Sequence, residues 1–196
     1  MNVALRLWDP NLAVSPVHWL VPLMQIVLLA ALLIDNPING VKFPVVRKVQ
    51  LAIAGGLVLV TLWATGTLVV DLVSGSALSN QADELLAVGA VVWLGNIYAF
   101  SILYWLTDGG GPVRRGETAV PIDFAFIQQQ ESELKSDSWR SQYLDYLHLA
   151  FTNATAFSPT DVMPLSHRAK FTMVLQSTVA LALVALVVAR SVNAFT

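Results

Sequence analysis

The stretch Ser141–Ser166, SQYLDYLHLAFTNATAFSPTDVMPLS, decides how this chain is organised. Within it, residues 146–160 carry no formal charge and are rich in Leu, Phe and Ala. A helix rises about 1.5 Å per residue, so this one is too short to cross a bilayer core of about 30 Å. Pro159 and Pro164 then interrupt the helix, and a long apolar run follows. The pattern predicts a re-entrant helix and loop over residues 141–165, leading directly into a spanning helix.

The composition of the whole chain is that of a membrane protein. Of its 196 residues, 56% are hydrophobic and only 12% are charged, about half the charged fraction of a soluble domain. Only a helix satisfies its own backbone groups in lipid, so we expect an all-α integral membrane protein. We predict a single membrane domain, residues 1–196, with four transmembrane helices and the re-entrant segment between the third and fourth. Charge-free runs at 10–34, 49–70, 85–107 and 171–189 indicate these spans, which we expect at about 17–34, 49–70, 85–107 and 167–190.

The charges indicate an orientation and exclude several functions. Nine of the eleven Lys and Arg residues fall in two segments, 35–48 and 108–170, whereas the 71–84 loop has none. The positive-inside rule therefore predicts that both basic segments are cytoplasmic and that both termini are outside. A net charge of −2 gives no reason to expect a nucleic-acid partner. The chain has no cysteine, so neither disulfides nor thiolate chemistry is expected.

Polar residues of the short helix recur every three or four positions. This spacing gathers them into one stripe along the helix: Gln142, Asp145, His148, Thr152 and Thr155. Asp145 and His148 could form an acid–base pair, although a local stabilising pair is the simpler interpretation. No nucleophile or ligand set accompanies them, so we expect no catalytic residues, no metal, no cofactor and no enzymatic activity.

Two further features have a structural and a functional interpretation. Gly109–Gly111, beside Arg114 and Arg115, resembles a phosphate cradle only weakly, because no strand precedes it and no helix opens after it. A helix C-cap followed by basic membrane-surface residues is the preferred interpretation. Each span also carries an uncharged polar residue, for which interhelical hydrogen bonding is favoured over a transport path. These residues are Gln25, Thr61, Asn96 and Gln176, of which Gln176 is also a candidate to line a pore.

The link after the short helix also allows two interpretations. Ser158, Pro159 and Asp161 fit the N-cap, N1 and N3 positions of a helix start. On that interpretation Asp161 only neutralises a helix end, and Ser166 caps the last spanning helix. The other interpretation is a pore, with the short helix directing the link into a membrane path.

The pore interpretation rests on a resemblance. The segment Thr155–Ser166 resembles the pore region of tetrameric cation channels, which carry a TVGYGD-type filter, two residues, a proline and a Ser or Thr opening the inner helix. Asp161, Pro164 and Ser166 match this pattern, and Leu144–Thr155 stands where a pore helix would. The resemblance implies the filter residues Thr155, Ala156, Phe157, Ser158, Pro159, Thr160 and Asp161. Positions 156–161 contain no glycine, so a potassium-type filter of stacked carbonyls is not expected.

The chain is also similar to an uncharacterised group of bacterial inner-membrane proteins. The shared features are YWLTDGGGP at 104–112, FTNATAFSPTDVMPLS at 151–166 and VVARSVN at 187–193. This resemblance implies a multi-pass protein of the bacterial inner membrane. We expect a pore-loop channel or channel-like protein for small cations, homotetrameric by resemblance. The alternative is a non-conducting membrane scaffold or partner subunit. The loop enters from outside in potassium channels and from inside in glutamate receptors, so the resemblance permits either side.

Overall fold

The computed structural model describes residues 44–74, 82–112, 114–116, 120–130, 139–156 and 161–195. The helices are α1 (Pro44–Ser74), α2 (Ala82–Thr107), α3 (Tyr143–Thr155) and α4 (His167–Phe195). Three short helical turns cover Asp108–Gly110, Arg114–Gly116 and Ile127–Gln130, and two strands are β1 (Phe124–Phe126) and β2 (Val162–Pro164). The predicted first span, with Gln25, and the filter residues Phe157, Ser158, Pro159 and Thr160 lie outside the described residues.

Three helices are long and apolar enough to cross a membrane. Their candidate spans are Arg47–Val70 in α1, Leu86–Gly110 in α2 and His167–Ala189 in α4. These segments correspond to the predicted second, third and fourth spans. The mostly helical fold and its three candidate spans support a membrane-associated protein.

Helix α2 is the centre of the described bundle, and it contacts α1, α3 and α4. Its buried residues include Ile97, Ala99, Phe100, Ile102 and Tyr104, which point to different sides of the helix. A helix that is apolar on several faces is one that is surrounded by other helices. This pattern explains why α2 can pack against three neighbours at once.

Helix α3 runs antiparallel along the second half of α2. The ring of Tyr143, at the start of α3, lies 5.7 Å from the ring of Trp105. The ring of Phe151, two turns later, lies 6.0 Å from that of Trp93. The predicted short helix is therefore present, and it begins with a capping box in which the Gln142 backbone N–H donates to Asp145 Oδ2 at 2.6 Å.

The link between α3 and α4 contains a strand instead of a helix start. β2 pairs antiparallel with β1, with Phe124 opposite Pro164 and Phe126 opposite Val162. Asp161 immediately precedes this strand, so the prediction that it occupies the N3 position of a helix is wrong. A pairing with residues far upstream in sequence overrides the local capping pattern. The predicted cap of the last helix is confirmed, because the Ala169 backbone N–H donates to Ser166 Oγ at 3.1 Å.

Candidate functional site

A buried carboxylate at the end of α2 joins three parts of the fold. Asp108 is fully buried, and its Oδ1 accepts the backbone N–H groups of Asp123 at 2.7 Å and Phe124 at 3.2 Å. Its Oδ2 accepts the Tyr146 hydroxyl at 2.5 Å and lies 3.3 Å from Arg115 Nε. Hydrogen bonds to an ionised group are about twice as strong as neutral ones. Asp108 thereby fixes β1 and α3 to the end of α2.

Arg115 completes this group, which we call the Asp108 cluster (Asp108, Arg115, Ser141 and Tyr146). Its side chain is only 7% exposed. One guanidinium nitrogen donates to Trp105 O at 2.6 Å and another to Ser141 Oγ at 3.2 Å. The guanidinium carbon lies 4.7 Å from the centre of the Tyr146 ring, within range of a cation–π contact. The prediction that Arg115 is a membrane-surface residue is therefore wrong, because its guanidinium forms an ion pair with the buried Asp108.

The glycine turn after α2 allows Arg115 to reach Asp108. Gly109, Gly110 and Gly111 have φ values of 57°, 81° and 95°, a region that side chains disfavour. A Cβ on Gly111 would also lie 3.1 Å from Leu106 O. The turn reverses the chain within a few residues and brings Arg115 back beside Asp108. The predicted helix stop at the glycines is confirmed.

The Asp108 cluster is a clamp and not an acid–base site. Burial raises the pKa of the Tyr146 hydroxyl far above its ordinary value, and the nearby Arg115 cation offsets this only in part. Tyr146 is therefore a neutral hydrogen-bond donor at physiological pH. Ser141 Oγ lies 2.9 Å from the same hydroxyl. Each polar side chain of the cluster is occupied by another group of the protein.

A second buried network fixes the other half of α3. Gln176 of α4 is fully buried, and its Oε1 accepts the Tyr104 hydroxyl at 2.7 Å and Asn153 Nδ2 at 2.8 Å. Its Nε2 donates to Ala150 O at 2.9 Å. Asn96 Nδ2 donates to Gln176 O at 3.4 Å. These bonds join α2, α3 and α4.

The predicted interhelical role is confirmed for Asn96 and Gln176. Thr61 behaves differently, because its hydroxyl donates to Leu57 O of its own helix at 2.8 Å. Gln176 was also predicted as a pore-lining residue, but its buried amide packs against α3 and reaches no exposed surface. Tyr104 and Asn153 were not predicted from the sequence to belong to this network. The sequence does show that Asn153 lies outside the polar stripe and near Ala150 and Ala154, so its amide is a polar group on an apolar side of the helix.

The exposed side of α3 carries most of the predicted polar stripe. His148 Nδ1 lies 3.5 Å from Asp161 Oδ2, and the side chains are 58% and 40% exposed. The predicted pairing of His148 with Asp145 is wrong, since Asp145 caps the helix and His148 faces Asp161. Thr152 is half-buried and Thr155 is exposed. Their hydroxyls donate to carbonyls of α3 itself, those of His148 and Phe151.

The two described ends of the predicted filter region lie at different positions along α3. Ala156 is exposed like Thr155, and Asp161 returns to the middle of α3 through His148. Among the described residues, no group of three or more His, Cys, Asp or Glu side chains could hold a metal ion. None of the known protein families, curated proteins or solved structures matches the chain. The fold is mostly helical, with three helices long and apolar enough to span a membrane and a short helix packed against two of them.

Proposed function

We propose that the protein is a pore-loop membrane protein that passes small cations as a homo-oligomer, with α3 as its pore helix. The observation that carries this proposal is the exposed pair of His148 and Asp161, located beside a candidate span. Ionisable side chains at membrane depth are costly in lipid and normally face water or another protein surface. An aqueous path shared between copies would satisfy this requirement.

The depth of the pair follows from the packing of α3. Phe151 contacts Trp93, which lies about 20 Å along α2 from its end at Thr107. Tyr143 contacts Trp105 close to that end. His148 lies between these two contacts and therefore beside the interior of the α2 span. This placement supports a short helix that descends into the membrane.

The return of the chain supports the same conclusion. β2 pairs with β1, and the backbone of Phe124 in β1 binds Asp108 at the end of α2. The chain that leaves α3 at Thr155 is therefore back at the level of the α2 end by residue 164. A helix followed by a return to its starting side has the course of a pore loop.

Cation preference follows from the carboxylate of Asp161. If copies assemble around an axis on the exposed side of α3, these carboxylates form a ring, and such rings select cations. Four copies are expected from the resemblance to tetrameric channels. Because positions 156–161 lack glycine, side-chain oxygens would contact the ion in place of stacked carbonyls.

One observation favours the alternative of a non-conducting scaffold or partner subunit. The hydroxyls of Thr152 and Thr155 are already bonded within α3, and His148 and Asp161 are bonded to each other. A surface whose polar groups satisfy one another can pack against another protein without water. This alternative predicts assembly without cation flux.

Replacing Asp161 with Asn tests the proposal. A carboxylate attracts a monovalent cation 4 Å away by about 4 kcal/mol at an effective dielectric constant of 20. Losing even a third of that interaction would lower cation-over-anion selectivity about tenfold. We expect this loss, with weaker divalent block, in liposome flux of Asp161→Asn, whereas Asp145→Asn should keep the wild-type selectivity. Equal selectivity in the wild type and Asp161→Asn would exclude a filter role for this carboxylate.

A further inference from the structure

Two arginine side chains approach the same glycine from different parts of the chain. A Cβ placed on Gly110 would lie 3.4 Å from Arg114 Cδ and 3.5 Å from Arg47 Nη1. Arg47 comes from the start of α1, and Arg114 follows the glycine turn of α2. The approach also shows that the start of α1 and the end of α2 lie at the same end of the bundle.

Neither arginine is neutralised within the described part of the protein. Arg115 and Arg168 have carboxylate partners, Asp108 and Asp123, but the guanidinium groups of Arg47 and Arg114 form no ion pair or hydrogen bond with any described residue. Asp108, two residues before Gly110, is already fully engaged. Two cations held close together without a counterion create a local positive potential that attracts anions.

The position of this pair indicates which anion it would meet. The candidate span of α2 ends at Gly110, so the arginines stand at the level of the lipid headgroups. Further exposed basic side chains lie at this end of the bundle: Lys48, Arg140, Arg168 and Lys170. Basic residues at the end of a span attract anionic lipids.

We infer that Arg47 and Arg114 bind the phosphate of an anionic phospholipid headgroup above Gly110. The guanidinium fork matches the geometry of phosphate oxygens. Gly110 has no side chain to occupy the space between the arginines, so a phosphate oxygen can approach the turn closely. The site is separate from the proposed pore and does not depend on conduction.

Native mass spectrometry of the full-length protein in detergent tests this site by titration with phosphatidylglycerol, phosphatidylcholine and inorganic phosphate. We expect the wild type to prefer phosphatidylglycerol. Arg47→Gln and Arg114→Gln should each weaken its binding about fivefold, and the double variant about twenty-five-fold. Lys48→Gln and Arg140→Gln remove the same charge from side chains that do not approach Gly110, and they should weaken binding less than about twofold.

Three outcomes would overturn the inference. Equal binding of phosphatidylglycerol and phosphatidylcholine would show that the site does not recognise the headgroup charge. Equal losses in the Lys48→Gln control and the Arg47→Gln variant would indicate a diffuse basic surface. Inorganic phosphate that binds at the arginines without any lipid preference would assign the site to a free anion. Thermal unfolding of each variant confirms that the protein remains folded during these titrations.

Discussion

Replacing Asp108 with Asn is expected to destabilise the protein by about 3–5 kcal/mol, the usual cost of leaving one partner of a buried ion pair uncompensated. The substitution removes the counter-charge of Arg115, which is 7% exposed. It also disturbs the acceptor for the Asp123 and Phe124 amides and for the Tyr146 hydroxyl. Equilibrium unfolding in mixed micelles measures this effect.

A double-mutant cycle separates the ion pair from general disruption. Asp108→Asn, Arg115→Gln and the double variant should show strong coupling, because the second substitution removes the charge that the first leaves unpaired. Arg168→Gln is the matched control, since Arg168 is 83% exposed where it pairs with Asp123. It should cost at most about 1 kcal/mol. Similar losses for Asp108→Asn and Arg168→Gln would refute the clamp.

Replacing Gln176 with Leu should weaken the packing of the second half of α3 against α2 and α4. The change removes the acceptor of Tyr104 and Asn153 and the donor to Ala150. Interhelical hydrogen bonds of this kind contribute about 0.6–2 kcal/mol each, so we expect a loss of about 2–4 kcal/mol. Hydrogen exchange should increase in residues 149–155 more than in the rest of the bundle.

The control for Gln176→Leu is Ser177→Ala at the next position. The Ser177 hydroxyl donates to Val174 O within its own helix, so its removal should leave both stability and exchange nearly unchanged. Unaltered exchange of α3 in Gln176→Leu would show that α3 is held by apolar packing alone.

The sequence predicted the features that depend on local pattern. Long charge-free runs identify α1, α2 and α4, because lipid requires continuous apolar helices. The length of α3 and the cap at Ser166 also follow from short-range signals. The glycines at 109–111 correctly predicted the end of α2, since only a residue without a side chain tolerates that turn.

The structural features that could not be predicted from the sequence all depend on contacts between residues far apart in the chain. Arg115 is buried because a glycine turn returns it to Asp108, and a count of surface charges cannot show this. Asp161 precedes a strand because β2 pairs with β1, almost forty residues upstream. His148 faces Asp161 instead of Asp145, three residues away, because Asp145 is occupied by the capping box.

Cation flux through liposomes containing His148→Cys, before and after modification, tests the central claim most directly. The chain has no native cysteine, so a membrane-impermeant, positively charged thiol reagent will modify only the introduced residue. Val184→Cys on the exposed apolar side of α4 is the control. A shared aqueous path predicts rapid modification at position 148, a fall in cation flux with the same time course, and no change at position 184. Unmodified cysteine at position 148, or flux that is absent or unaffected by its modification, would contradict a pore along α3.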